Sequence, residues 1–212
     1  MPAGPSVNFR LSDDAVRLAG RLTAALAEDQ RVVLFTGSTA TRGVSTVASH
    51  VALAFAKLVQ QPILLIDAKA EGPTLHTTFN VPLAPGLTEV LERRVGLDAA
   101  VSRLDANNLW FLPRGGDADY THLLGSEACK ELLQSMRQKY RLTLIDGSPI
   151  LLSAPTSILA SQSDGVVAVV AAGSDHKADV VELKRILDGL KVNLIGAVLT
   201  TAARQVWRGG SE

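Results

Sequence analysis

Short, almost wholly apolar runs alternate along this chain with longer stretches in which apolar residues recur three and four apart, the pattern of buried strands alternating with amphipathic helices. Strands are expected at 32–35, 63–66, 109–112, 142–145, 165–172 and 192–199. Helices are expected at 12–29, from 45 or 46 to 58, and at 87–94, 97–104, 126–140 and 175–190, with loops at 68–80, 82–86 and 113–116. On the second helix Val47, Val51, Ala54, Phe55 and Leu58 share one apolar face, and the helix at 126–140 turns Leu132, Leu133 and Met136 inward. Fully apolar strands separated by helices require right-handed crossovers and a sheet covered on both faces. The expected architecture is therefore α/β: a doubly wound, mainly parallel sheet between two helical layers, one domain over 1–212 with flexible ends at 1–11 and 208–212.

Composition narrows the function classes. The 21 basic and 21 acidic residues cancel, so no basic field exists to recruit nucleic acid, which is not expected as a partner. A single cysteine, Cys129, forms no intramolecular disulfide, and its expected place is a packed helix face. No segment reads as a secretory signal, and no apolar run approaches the roughly 20 residues that span a bilayer as a helix. A cytoplasmic chain follows, without direct membrane insertion and reaching a membrane only through a partner. His50 and His76 lack the spacing of metal ligands, and Trp110 is expected in the core.

Chemistry concentrates at strand ends. The stretch Arg31-Val-Val-Leu-Phe-Thr-Gly-Ser-Thr-Ala-Thr-Arg-Gly-Val-Ser-Thr46 runs from a buried strand through small residues into a helix, the layout of a phosphate-binding loop. In such a loop, backbone N–H groups and the helix dipole hold phosphate oxygens, a lysine reaches the terminal phosphates and a Ser/Thr hydroxyl binds magnesium. Gly43 and Ser45 occupy their places, but the lysine position is Val44. Two aspartates, Asp67 and Asp146, close apolar strands, which is where open α/β sheets place ligand sites.

Taken together, Thr36-Gly-Ser-Thr-Ala-Thr-Arg-Gly-Val-Ser-Thr46, Leu64-Leu-Ile-Asp-Ala-Lys-Ala-Glu-Gly-Pro-Thr-Leu-His76 and Leu144-Ile-Asp-Gly-Ser-Pro149 resemble the three motifs of the bacterial tyrosine autokinases of capsule and exopolysaccharide synthesis. This is the CpsD/CapB and Wzc type, a branch of the MinD/ParA-like P-loop ATPases. The family motifs read T-S-x-x-P-G-E-G-K-S-T, L-L-I-D-A-D-x-R-x-P-x-L-H and I-I-D-x-P-P. Pro85-Gly-Leu-Thr-Glu-Val-Leu91, Asn108-Leu-Trp-Phe-Leu-Pro113 and Ser163-Asp-Gly-Val-Val-Ala-Val-Val170 extend the similarity, which covers about residues 13 to 200.

The resemblance implies a P-loop NTPase-like fold, ATP or ADP with magnesium as ligand, and a membrane polysaccharide co-polymerase or its cytoplasmic tail as partner. It places the nucleotide against Thr39, Thr41, Arg42, Gly43, Val44, Ser45, Thr46, Lys69 and Thr200, with Ser45, Asp67 and Asp146 at the metal and the two aspartates in the catalytic positions. The departures bear on activity. Val44 lacks the charge of the family lysine; Thr41 and Arg42 stand for glycine and glutamate; Lys69 replaces the second acid of the second motif; Thr200 replaces an adenine-side asparagine. Losing a charge-assisted hydrogen bond of about 1.5–3 kcal/mol weakens nucleotide binding by roughly one to two orders of magnitude. Lys69 leaves two readings open. It resupplies the missing charge, as Arg42 could from the loop, or it forms an ion pair with Asp67 or Asp146 that fills an empty site, the preferred reading. The only tyrosines, Tyr120 and Tyr140, form no C-terminal cluster for autophosphorylation, and Asp14, Arg17 and Arg21 match the family's ring-forming acid and arginines incompletely, which leaves self-association into a ring possible but unsupported. Two functions follow: a degenerate, non-catalytic partner or regulator of polysaccharide export, or an active ATP-dependent kinase or MinD/ParA-like ATPase using Lys69 or Arg42.

Overall fold

The structure is a computed structural model, and it describes residues 12–39, 43–104 and 108–201. Among these residues seven strands form one sheet: β1 (Val32–Thr36), β2 (Ile63–Asp67), β3 (Ser102–Leu104), β4 (Leu109–Leu112), β5 (Leu142–Asp146), β6 (Gly165–Ala172) and β7 (Leu194–Thr201). Their spatial order is β3-β4-β2-β5-β1-β6-β7, parallel except for the β3–β4 pair. The chain leaves β1 across β5 to reach β2, then returns to β5 and continues on the other side with β6. That reversal opens a crevice at the carboxyl ends of β1, β2 and β5, the position where doubly wound sheets bind ligands.

Period-two alternation within the strands divides the core between two faces. Val33 and Phe35 of β1, Ile63 and Leu65 of β2, and Leu142 and Leu144 of β5 face α1 (Asp13–Ala25) and α2 (Val44–Leu58). Val32, Leu34, Leu64, Ile66 and Ile145 face the opposite layer, which includes α7 (Glu127–Lys139), α8 (Ala154–Gln162) and α9 (Lys177–Gly189). Serine side chains start three of these helices: Ser12, Ser126 and Ser153 accept from the backbone N–H of Ala15, Cys129 and Thr156, satisfying donors the first turn cannot. The helix face carrying Leu132, Leu133 and Met136 is buried as expected, as is Cys129.

Several expectations need correction. The first helix stops at Ala25, not 29, and α2 begins at Val44, ahead of the expected start at 45 or 46, with Gly43 at its N-cap in the left-handed region. Leu58, assigned to the apolar face of α2, is 53% exposed at its last turn, and Trp110 is half-buried beside the outer strand β3. The stretch read as a helix at 97–104 is a single turn, α5 (Leu97–Ala100), followed by β3: an antiparallel edge pairing with β4 overrides local helical periodicity. The loop at 68–80 contains α3 (Leu75–Thr78), and the expected helix at 87–94 is the short α4 (Leu87–Leu91). Two further helices lie outside the expected set, α6 (Tyr120–Leu124) and α8: α8 is built largely of small and polar residues with no apolar stripe, whereas α6 spaces Tyr120 and Leu124 four apart but is only five residues long. The expected flexible ends, and the site assignments at Thr41 and Arg42, lie outside the described residues.

Candidate functional site

The site is assembled from three strand exits. β2 and β5 are register neighbours, with Asp67 directly opposite Asp146, and both aspartates are fully buried. Leaving β5, the chain passes so close to β1 that a Cβ at Gly147 would lie 2.9 Å from Leu34 Cδ1 and 3.2 Å from Phe35 O. Ser148 then joins all three exits: its carbonyl accepts from Thr36 Oγ1 at 2.7 Å, and its Oγ accepts from Ala70 N at 3.0 Å. Between the exits and the start of α2 lies a cavity of about 830 Å³ whose walls include Gly43, Val44, Ser45, Thr46, Lys69, Thr74, Tyr120 and Ser148.

A buried arginine holds the wall opposite α2. Arg114 donates to Ala70 O at 3.2 Å and Gly116 O at 3.3 Å, pairs with Asp117 at 2.6 Å and lies over the Tyr120 ring at 5.2 Å. Tyr120 in turn donates to Arg114 O at 2.9 Å. Burial pushes the Tyr120 hydroxyl up to about 12, so it remains a neutral donor. The loop itself is pinned to α4 by Glu89, whose carboxylate accepts from Gly86 N at 2.7 Å and Gly116 N at 3.0 Å. Sequence reasoning saw 113–116 only as a loop; Arg114, Tyr120 and Ser148 entered no site assignment, because a lone arginine, tyrosine or serine carries no spacing signal.

The two aspartates differ electrostatically. Asp67 has a partner on each oxygen, Lys69 N at 3.3 Å and Leu75 N at 3.2 Å. Burial nevertheless raises its pKa, opposed by those two N–H groups and by the charges of Lys69 and His76. Among the described residues neither oxygen of Asp146 has a hydrogen-bond partner. Burial first, and the Asp67 charge second, push Asp146 well above the ordinary carboxylate range, to about 7, while the nearby Ser45 hydroxyl, which stops short of a hydrogen bond, and the Lys69 charge act the other way. A buried carboxylate with no donor calls for a cation.

Of the site residues assigned from sequence, the structure brings Gly43, Val44, Ser45, Thr46 and Lys69 to the cavity wall, with Asp67 and Asp146 behind it. Thr39 does not line this cavity. Thr200 packs against Gly43, where an added Cβ would stand 3.4 Å from its Oγ1, and lines a separate groove with α1. Val44 is 5% exposed and belongs to the core beneath α2, so the position of the absent lysine is closed by an apolar side chain. The expected ion pair of Lys69 with Asp67 or Asp146 is not formed: among the described residues, salt bridges link other groups, and Lys69 reaches the aspartates only through its field and its backbone N–H. The reason is geometric, since its backbone caps Asp67 while its half-buried side chain lines the cavity.

For a divalent ion held by protein side chains alone this donor set is short. Asp67 is engaged on both oxygens, leaving the Ser45 hydroxyl and Asp146, and the described residues contain no group of three acidic, histidine or cysteine side chains able to hold a metal. For phosphate the fit is better: the start of a 15-residue helix, capped by Gly43 with φ +102°, opens on the cavity beside Lys69.

No family model matches the chain. Among characterised proteins it is 32% identical over 177 residues to the tyrosine-protein kinase YwqD of Bacillus subtilis, covering 83% of this chain and 74% of that protein. It is 26% identical over 178 residues to the tyrosine-protein kinase Etk of Escherichia coli, covering 83% of this chain but 24% of Etk. The chain thus spans about a quarter of the longer relatives it matches. Among solved structures, the VpsO kinase domain superposes with a TM-score of 0.83 at 27% identity, covering 90% of this chain and 94% of that one. A plasmid partition protein and MinD share the fold at lower identity.

Proposed function

Because the chain belongs to the family of bacterial tyrosine-protein kinases, we propose that it serves as a non-catalytic partner or regulator of envelope polysaccharide synthesis and export, holding nucleotide weakly and transferring no phosphate. The observation that carries this reading is Val44, which is 5% exposed and packed in the core at the place of the family lysine. Phosphoryl transfer is catalysed almost entirely by positioning and charge, and the group that would neutralise the terminal phosphates from the helix start is missing. What remains is a shaped cleft: helix N–H groups, the Ser45 and Thr46 hydroxyls, and a wall braced by Arg114.

Its working place, on this reading, is the cytoplasmic face of the inner membrane, through the tail of a membrane co-polymerase. No helix among the described residues is long and apolar enough to cross a membrane. The second reading, an active ATP-dependent kinase or MinD/ParA-like ATPase, is favoured by one feature: Lys69 lines the cleft without an ion pair among the described residues.

The test is calorimetric titration with Mg-ATP and Mg-ADP beside the Val44→Lys variant, and transfer from radiolabelled ATP to a tyrosine-bearing co-polymerase tail. Binding ten- to a hundredfold weaker in the native chain than in the variant, with no transfer by the native chain, is the expected result. Micromolar native binding with label on tyrosine establishes the second reading instead.

A further inference from the structure

Lys69 stands at the exit of β2, one residue beyond Ala68 and two beyond Asp67, where the family motif carries an acid. Three features meet there. Its backbone N–H holds Asp67, its side chain lines the cavity, and among the described residues it forms no ion pair. Behind the same wall the carboxylate of Asp146 is fully buried with no hydrogen-bond donor, and the Lys69 charge acts on it. The start of α2, with Gly43, Ser45 and Thr46, faces the same space.

A phosphate chain entering this cleft approaches two buried carboxylates that lie in register behind its wall, and needs a cation between itself and them. Magnesium in a nucleotide site takes one or two protein carboxylates beside water and phosphate oxygens, yet Asp67 has both oxygens engaged by backbone N–H groups and Lys69, two residues on, presents an ammonium where the family motif has an acid, which repels the ion. An ammonium carries three N–H donors, enough to bridge a carboxylate and phosphate oxygens at once. We propose that Lys69 takes the place of the divalent cation in this cleft, so that nucleotide phosphates bind here without magnesium. The inference rests on the reading of the cleft as a weak nucleotide-phosphate site and adds the source of its counter-charge.

The experiment is calorimetric titration of the full chain with ATP in EDTA and with ATP in excess magnesium, for the native protein and for Lys69→Ala, Lys69→Arg and Lys69→Asp, each checked for an unchanged melting transition. The native chain is expected to bind equally in both conditions, within about threefold. Lys69→Ala loses roughly 10- to 100-fold in both, Lys69→Arg retains most of the affinity, and Lys69→Asp binds only with magnesium. Native binding tenfold tighter with magnesium, or Lys69→Ala equal to native, overturns the proposal. No binding by the native chain in either condition also overturns it while leaving a non-catalytic partner role standing, whereas phosphate transfer by the native chain defeats the functional reading alone.

Discussion

Asp164 joins elements far apart in the chain, and its removal has a calculable cost. It sits just before β6, and one of its oxygens accepts from Arg31 N at 2.7 Å and Val32 N at 2.8 Å, capping the entry of β1 across 133 and 132 residues. Arg137 of α7 grips the other side, with Nη2 2.7 Å and Nε 3.1 Å from Oδ1. Asp164→Ala leaves the N–H of the fully buried Val32 without its side-chain acceptor, at about 1–3 kcal/mol, and removes the charge-assisted bonds to Arg137, each about 1.5–3 kcal/mol. The pair is partly exposed, at 26% and 18%, and Arg137 keeps its bond to Gln162 O at 2.9 Å, so these contributions do not add in full. We expect a net loss of about 3–4 kcal/mol, a fall in Tm of roughly 6–16 °C for a chain of this size.

The assay is urea unfolding at pH 7, with Asp164→Asn retaining an acceptor and losing about half as much. The pH dependence carries a sign. Burial alone would raise the Asp164 pKa, but the Arg137, Arg31 and Val32 donors together hold it below the ordinary carboxylate value. The stabilisation is therefore complete above the unfolded pKa and disappears as pH falls through the lower folded value. The native-minus-Ala difference must shrink in acid, below about pH 4. A difference under 1 kcal/mol at pH 7, or one that grows in acid, refutes the reasoning.

Three further outcomes follow from the same geometry. Val44→Lys, besides tightening nucleotide binding, should lower stability by roughly 1–3 kcal/mol in urea titrations, since it removes a core side chain that is 5% exposed. Gly115→Ala should cost roughly 2–4 kcal/mol in the same assay, because φ is +89° and an added Cβ would stand 2.3 Å from Glu89 Oε2 and 2.9 Å from Thr88 Cβ. Asp146→Asn should stabilise the chain by roughly 1–3 kcal/mol at pH 8. Its raised folded pKa means that the native chain loses stability as pH rises from the unfolded pKa through about 7, so the gain should vanish near pH 4 in pH-resolved melts.

Hydrophobic period by itself determined six of the seven described strands and the parallel, doubly wound sheet, because a strand buried on both faces, as β1, β2 and β5 are, has no polar position and must lie between helices; the equally apolar β7 is an edge strand whose residues are only half-buried or exposed. It also located the exit of β1 before α2 and both strand-end aspartates, since these follow directly from where an apolar run stops. β3, α6 and α8 were out of reach: a three-residue antiparallel edge exists only through its partner β4, the five residues of α6 are too few to establish a period, and α8, rich in small and polar residues, shows no stripe. The wall of Tyr120 and Ser148, braced by Arg114, was equally hidden, because its contacts join Ala70 to residues 44 and 78 positions away. The fate of Lys69 marks the division most clearly. Sequence showed a base where relatives carry an acid, and charge alone suggested an ion pair with Asp67 or Asp146. Only the tertiary arrangement decided otherwise, by spending the Asp67 oxygens on backbone N–H groups, burying Asp146 without a donor and turning the Lys69 side chain to the cavity. Pair energies depend on distances between strand ends, and those distances are set by the packing of the sheet.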